Sequence, residues 1–94
     1  MSKQDLYIAK MKLQLDELNV ELKTLELKAK DARAEAKEKV EEEMAKLRHQ
    51  SKLASAKLDE LKAAAESTWD NMVADMEKLR DAFKHSFSYF KSQL

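Results

Sequence analysis

The side chains best suited to bind a metal ion or to transfer a proton in this sequence are two histidines and a run of acids. His49 and His85 are far apart in the chain, with no HxxxH spacing and no cysteine to complete a ligand set. Glu41, Glu42 and Glu43 are consecutive. Consecutive residues of a helix point in different directions and cannot converge on one ion. The sequence therefore predicts no metal site.

Catalytic motifs are missing as well. The chain has no glycine, so it has neither a glycine-rich loop to hold phosphate nor the strand-turn-helix motif that activates a serine. Acids on a solvated helix lack the pocket that catalysis requires. We therefore expect a protein that is not an enzyme and that has no cofactor and no small-molecule substrate.

The composition identifies the elements that carry these side chains. Glycine, proline and cysteine are all absent, charged residues make up 38% of the chain, and aromatic residues make up 6%. Glycine and proline form most tight turns, so a chain without them favours long helices over sheets. This mixture is typical of coiled coils and predicts an all-α fold for one unit spanning residues 1–94.

Charge and hydropathy exclude several partners. Eighteen basic residues balance 18 acidic ones, and the balance also holds locally, so no cluster of lysine and arginine is available for nucleic acid. No stretch is apolar enough to span a membrane, and the first residues lack the pattern of a signal peptide. We expect a cytoplasmic protein.

A heptad pattern is the strongest signal in the sequence. Apolar residues alternate steps of three and four from residue 8, and this pattern continues through the chain with stutters near residues 40, 69 and 87. The average step is about 3.58 residues, between the 3.5 of a supercoiled helix and the 3.6 of a straight one. The first part of this oligomer seam consists of Ile8, Met11, Leu15, Leu18, Leu22 and Leu25.

Capping signals suggest where helices begin. Ser2 with Asp5, and Ser67 with Asp70, have the spacing of a capping box. We predict a long helix over about 3–66 and a C-terminal amphipathic helix over about 68–92. An alternative break over 48–52, around Ser51, would make an antiparallel hairpin with arms of nearly equal length. We prefer the long helix because residues 48–52 include no residue that stops a helix.

A second seam lies roughly opposite the first, about 170° around the helix at 100° per residue. It consists of Leu6, Leu13, Val20 and Leu27. A helix with two opposed apolar stripes has partners on both sides, which predicts three or more helices around residues 6–27. The alternative is that these are scattered surface residues.

The C-terminal segment has a broad apolar face, formed by Trp69, Met72, Met76, Leu79, Phe83, Phe87 and Phe90. Such a face packs in a helical bundle or lies on a lipid or polymer surface. Packing in a bundle is the preferred interpretation.

The residues also resemble a known group of proteins. The segment from Tyr7 to Asn19, the segment from Lys57 to Leu61, and Trp69 downstream are similar to small bacterial coiled-coil proteins labelled as coiled-coil or stress-response proteins. The resemblance implies a bacterial, soluble protein that is not an enzyme, and it implies no binding residues.

Two functions follow as hypotheses. The first is a self-associating coiled-coil scaffold or interaction protein, with a stress-related role as the resemblance implies. It would assemble with itself or with another helical protein as a helical-bundle oligomer. The second is a peripheral coat on a membrane or storage granule, anchored by the C-terminal helix. Residues 69–94 would then contact the surface.

Overall fold

The computed structural model of the chain consists of three α-helices. They are α1 (Lys3–Ala29), α2 (Ala34–Lys62) and α3 (Trp69–Gln93), and a short 3-10 turn, Glu66–Thr68, precedes α3. The structure describes the backbone of residues 2–31 and 34–93, and the side chains of residues 2–31 and 37–93. No strand occurs in these residues, and the predicted all-α class is confirmed.

The structure corrects the predicted long helix of about 3–66, because two helices take its place. Helix α1 ends at Ala29 and α2 begins at Ala34. A single extended helix would leave its whole seam in water, whereas folding back lets α1 and α2 cover each other's apolar residues. Residues 48–52, the alternative break, lie inside α2. The chain does break close to Ser67, since α2 ends at Lys62 and the 3-10 turn follows.

Contacts between helices define the topology. Glu26 and Asn19 of α1 contact Arg48 and Ser51 of α2, respectively. The numbers fall along α1 as they rise along α2, so these helices are antiparallel. Tyr7 contacts Glu77, and Gln14 contacts Arg80. Both numbers rise together, so α1 and α3 are parallel, and the three helices form an up-down-up bundle.

The core runs along the whole bundle, which measures 50 × 20 × 18 Å. Fourteen apolar side chains are buried in it, and among the described residues no polar or charged side chain is fully buried with them. They are Met11, Leu15, Leu22, Leu25, Val40, Met44, Leu47, Ala54, Leu58, Leu61, Met76, Phe83, Phe87 and Phe90. The heptad spacing therefore places one stripe of each helix in a shared core.

The two predicted capping boxes have different outcomes. At the start of α1, the Asp5 amide donates to Ser2 Oγ at 3.1 Å and the Ser2 amide donates to Asp5 Oδ2 at 3.5 Å. This box is confirmed. At the start of α3, no hydrogen bond joins Ser67 and Asp70, both of which are described, and the Thr68 hydroxyl instead donates to the Ala65 carbonyl at 3.1 Å.

Candidate interaction surface

The outer face of α1 exposes four large apolar side chains. They are the predicted second seam, with exposed fractions of 43% for Leu6, 60% for Leu13, 65% for Val20 and 64% for Leu27. At about 100° per residue, they lie roughly 180° from the buried residues of α1. We call these four residues the outer stripe. Neither α2 nor α3 covers it.

The outer stripe differs from the other exposed apolar positions of the described chain. Leu53 on α2 is 42% exposed and Tyr89 on α3 is 54% exposed, and each stands alone on its helix. Single exposed apolar residues are ordinary on a protein surface. Four such residues at seven-residue intervals align along one side of α1, about 10.5 Å apart, and this alignment suggests an interaction surface.

The charges beside the outer stripe are balanced. The eight positions three or four residues beyond each stripe residue hold three lysines, three acids, an alanine and a threonine: Ala9, Lys10, Asp16, Glu17, Lys23, Thr24, Lys30 and Asp31. Lys12 also pairs with Asp16 at 3.2 Å. A surface with equal numbers of both signs does not attract a polyanion such as nucleic acid.

The residues of the predicted oligomer seam lie in the core of the bundle. Met11, Leu15, Leu22 and Leu25 are buried. Ile8 and Leu18 are partly buried against the same core. The seam thus meets α2 and α3 of the same chain.

The C-terminal apolar face also points inward. Met76, Phe83, Phe87 and Phe90 are at most 5% exposed. Trp69, Met72 and Leu79 are half-buried. In this fold the face has little surface to offer a membrane or a granule.

A shallow groove between α1 and α3 is lined by Gln14, Glu17, Leu18, Glu21, Arg80, Asp81 and Lys84. Arg80 Nη1 donates to Gln14 Oε1 at 3.2 Å, and Arg80 Nη2 lies 3.0 Å from Asp81 Oδ1. The guanidinium is held between the helices by these neighbours. Because the groove is open to solvent, it resembles a solvated helix junction more than a ligand site.

Tyr7 also joins α1 to α3. Its ring packs edge-on against Trp69, with centroids 5.8 Å apart and planes at 78°, and its hydroxyl donates to Glu77 Oε1 at 3.5 Å. Burial raises the pKa of Tyr7 above its usual 10.0, and the negative charge of Glu77 raises it further. A catalytic base or nucleophile needs the opposite shift. Its contacts with Trp69 and Glu77 are those of a residue that packs α1 against α3.

The histidines and the acidic run lie apart from each other. His49 and His85 are exposed on different helices, and Glu41 and Glu42 are exposed on α2. Within residues 2–31 and 37–93, no three histidine, aspartate or glutamate side chains are grouped so that they could hold a metal ion.

Several polar contacts between helices could not be found by sequence reasoning. Ser51 donates to Asn19 Oδ1, and Gln50 Nε2 donates to Ser86 Oγ at 3.1 Å. Ser51 occupies a core-facing heptad position of α2, which was the one available signal. Its partner on α1 depends on how the helices are aligned.

Among the described helices, none is long and apolar enough to cross a lipid bilayer. Comparison of the chain with family models, with curated proteins and with solved structures finds no match.

Proposed function

We propose that this protein is a non-enzymatic interaction protein that self-associates through the outer stripe of α1. The observation that carries the proposal is the exposure of Leu6, Leu13, Val20 and Leu27 at seven-residue intervals on the face opposite the core. This is the scaffold hypothesis, restricted to one surface. The resemblance to small bacterial coiled-coil proteins is consistent with such a role.

The occupant of the outer stripe is a second copy of the chain. A stripe with equal spacing can pair with itself about a twofold axis, so that Leu6 faces Leu27 and Leu13 faces Val20 of the other copy. The outer stripe projects from the convex surface of a helix, and the charges beside it are balanced. It therefore suits the outer stripe of a second copy. Each copy would insert its side chains between those of the other, as helices do in coiled coils.

The expected association is weak and reversible. Fully burying a leucine or valine contributes about 1.5–3 kcal/mol, and the stripe residues, already about half covered, would contribute roughly half of that each. Association costs at least about 4 kcal/mol in lost motion. The gain thus only modestly exceeds the cost, and the monomer and dimer should interconvert with concentration.

The decisive experiment is sedimentation equilibrium across a range from micromolar to millimolar protein. The wild type should show a monomer-dimer equilibrium. Leu13→Glu with Val20→Glu should stay monomeric, because each introduced carboxylate would have to be desolvated in the interface. The melting temperature of this variant should match that of the wild type, because both positions are exposed.

A matched control is the pair Leu53→Glu with Tyr89→Glu. It introduces the same charges at exposed apolar positions on α2 and α3, away from the outer stripe. This control should dimerise like the wild type. A wild type that is monomeric at every concentration, or a control that loses association as completely as the stripe variant, would refute the proposal.

A further inference from the structure

The segment between α2 and the 3-10 turn that precedes α3 has no local signal that ends a helix. It consists of Ala63, Ala64 and Ala65, and alanine is the residue that most favours helix. The amides of Ala63 and Ala64 donate to Glu60 and Leu61 carbonyls at 3.1 and 3.2 Å, as in the last turn of a helix. The chain then leaves the helix at Ala65, which is extended with φ −72° and ψ 152°.

Two features that commonly end a helix, a left-handed residue and a side-chain cap on the next turn, are both missing at the described C-terminal end of α2. Helices commonly stop at a residue in the left-handed conformation, but among the described residues none has positive φ. Ala65 also has no side-chain hydrogen bond that caps the following turn. The local contacts at the bend are the amide and the hydroxyl of Thr68, which both donate to the Ala65 carbonyl at 3.1 Å. The packing of α3 against its own α1 and α2 supplies the rest, because the alanine segment itself favours a continuous helix.

The buried faces of α2 and α3 would coincide if the two helices were continuous. At about 100° per residue, Ala54, Leu58 and Leu61 of α2 and Met76, Phe83 and Phe90 of α3 fall within about 60° of one another. Straightening the connection would therefore give one long helix with a single apolar face. Both halves of that face would still need a partner.

We propose that two copies of this chain exchange α3 to form a domain-swapped dimer. In each copy α2 continues through the alanine segment and the 3-10 turn Glu66–Thr68 into α3, and α3 packs on the α1–α2 hairpin of the other copy. The contacts of the monomer are re-formed between chains, including Gln50 with Ser86 and Tyr7 with Trp69. The alanine segment becomes helical, and the core stays the same.

This dimer differs from the outer-stripe dimer in its interface and in its rate of exchange. Met76 and Phe83 are 0% exposed, so α3 cannot leave the bundle without exposing the core to water. Exchange should be slow under native conditions. The swapped dimer should form when the protein is refolded at high concentration, and it should persist after dilution.

Glu66 provides a substitution that separates the two forms. It is the first residue of the 3-10 turn and follows extended Ala65, a position where proline is well tolerated. In a continuous helix, proline at the same position would remove a hydrogen bond and clash with the preceding turn. Glu66→Pro is thus compatible with the monomer and incompatible with the swapped dimer. Glu66→Ala is the matched control, because it removes the same charge and favours helix.

The proteins are refolded from denaturant at about 1 mM and separated by size-exclusion chromatography after dilution. We expect a persistent dimer fraction for the wild type and for Glu66→Ala. For Glu66→Pro the dimerisation constant should fall about a hundredfold for each of the two hinges. A wild type that yields no persistent dimer would overturn the proposal, and so would a Glu66→Pro protein that yields as much dimer as Glu66→Ala.

Crosslinking identifies the interface, because the chain has no cysteine of its own. Gln50→Cys with Ser86→Cys places two thiols across the α2–α3 contact, and a short bis-maleimide joins them. In the monomer fraction the link should form within one chain. In the persistent dimer fraction it should join two chains, giving a covalent dimer on a denaturing gel. Links within single chains in that fraction would rule out the exchange of α3.

The same proteins distinguish this proposal from the proposed function. Leu13→Glu with Val20→Glu removes the outer stripe and should leave the persistent swapped dimer unchanged. Glu66→Pro removes the swap and should leave the rapid, concentration-dependent association unchanged. Loss of the persistent dimer in the stripe variant would show that the stripe, rather than exchange of α3, holds that dimer together.

Discussion

Tyr7 connects α1 with α3 through two contacts. Its ring meets Trp69 and its hydroxyl donates to Glu77. Burial raises the pKa of the phenol, and the charge of Glu77 adds to the effect. Since the folded-state pKa lies above the unfolded one, folding favours the protonated phenol. This contribution to stability is fully present below pH 10.0, the usual pKa of tyrosine, and is lost as the pH rises through the folded-state value.

The titration of Tyr7 can be measured alone in the Tyr89→Phe variant, because the chain has only two tyrosines. The rise in ultraviolet absorbance with pH should have its midpoint above 10.0 in the folded protein. Adding Glu77→Gln should lower the midpoint only in part, since burial is the larger cause. The same variant in denaturant serves as the control. Identical midpoints in the folded and unfolded states would contradict this prediction.

Spacing along the sequence predicted which large apolar residues share a face, and burial agrees for Met11, Leu15, Phe83 and Phe87. This succeeds because the helical period fixes which side chains share a face. Spacing did not predict the partners of the polar side chains. Gln50 meets Ser86, which lies 36 positions away in the chain. That contact depends on the alignment of α2 with α3, and periodicity within one helix carries no such information.

The ends of the helices are determined in different ways. The side chains of Ser2 and Asp5 satisfy the first free amides of α1, so a local motif starts this helix. At the start of α3 the residues Ser67 and Asp70 have the same spacing without the hydrogen bonds. The 3-10 turn Glu66–Thr68 occupies that position instead. Tertiary packing thus decides where α3 begins.

Replacing two serines by alanine should have opposite effects on stability. Ser2→Ala removes the cap of α1 and should lower the free energy of unfolding by about 1 kcal/mol. Ser88→Ala lies at an exposed position inside α3, where alanine favours helix and should raise the free energy of unfolding by up to about 0.5 kcal/mol. Chemical denaturation measures both. Equal effects of the same sign would show that the Ser2 hydrogen bonds contribute nothing.

The break between α1 and α2 could not be predicted from local signals. Residues 28–39 contain alanine and charged residues only, all of which are compatible with a helix. The cap residue Lys30 is itself helical, with φ −63° and ψ −25°. A stutter in the heptad pattern after residue 36 and the lack of any large apolar residue there were the available hints. The chain folds back because the large residues on either side gain a shared core.

The fold of the whole molecule depends on what one chain can bury by itself. The sequence predicted a main seam along the helices and a second seam on residues 6–27, and it predicted that both need partners. Three helices of one chain meet this need for most of the seam, since residues from Met11 to Phe90 form one core. The second seam, which is the outer stripe, stays exposed. Its proposed partner is a second copy of the chain, and self-association is therefore tested in solution.

The alternative function, a peripheral coat on a membrane or granule, requires the C-terminal aromatic face on the outside. Phe83, Phe87 and Phe90 are 0%, 5% and 3% exposed in the bundle. A lipid surface would have to pull α3 away from α1 and α2, and so lose the burial of all three rings. Each ring buries a large apolar area in the core. Contact with lipid would bury a similar area instead, so that leaving the core brings no net gain. The core therefore competes directly with the surface for the same face.

We expect the C-terminal aromatic face to stay in the core when lipid is present. The purified protein should not co-sediment with vesicles of anionic phospholipid at physiological salt. Phe83→Ser with Phe87→Ser should lower the free energy of unfolding by at least about 3 kcal/mol, as expected when large aromatic side chains are removed from a core. Tyr89→Ser is the control, because this ring is exposed on the same helix and its loss should change stability little. The opposite result would be a wild type that pellets with the vesicles and a double phenylalanine variant that stays in solution and is as stable as the wild type. The C-terminal face would then be a membrane anchor, and the protein would not act as the closed bundle.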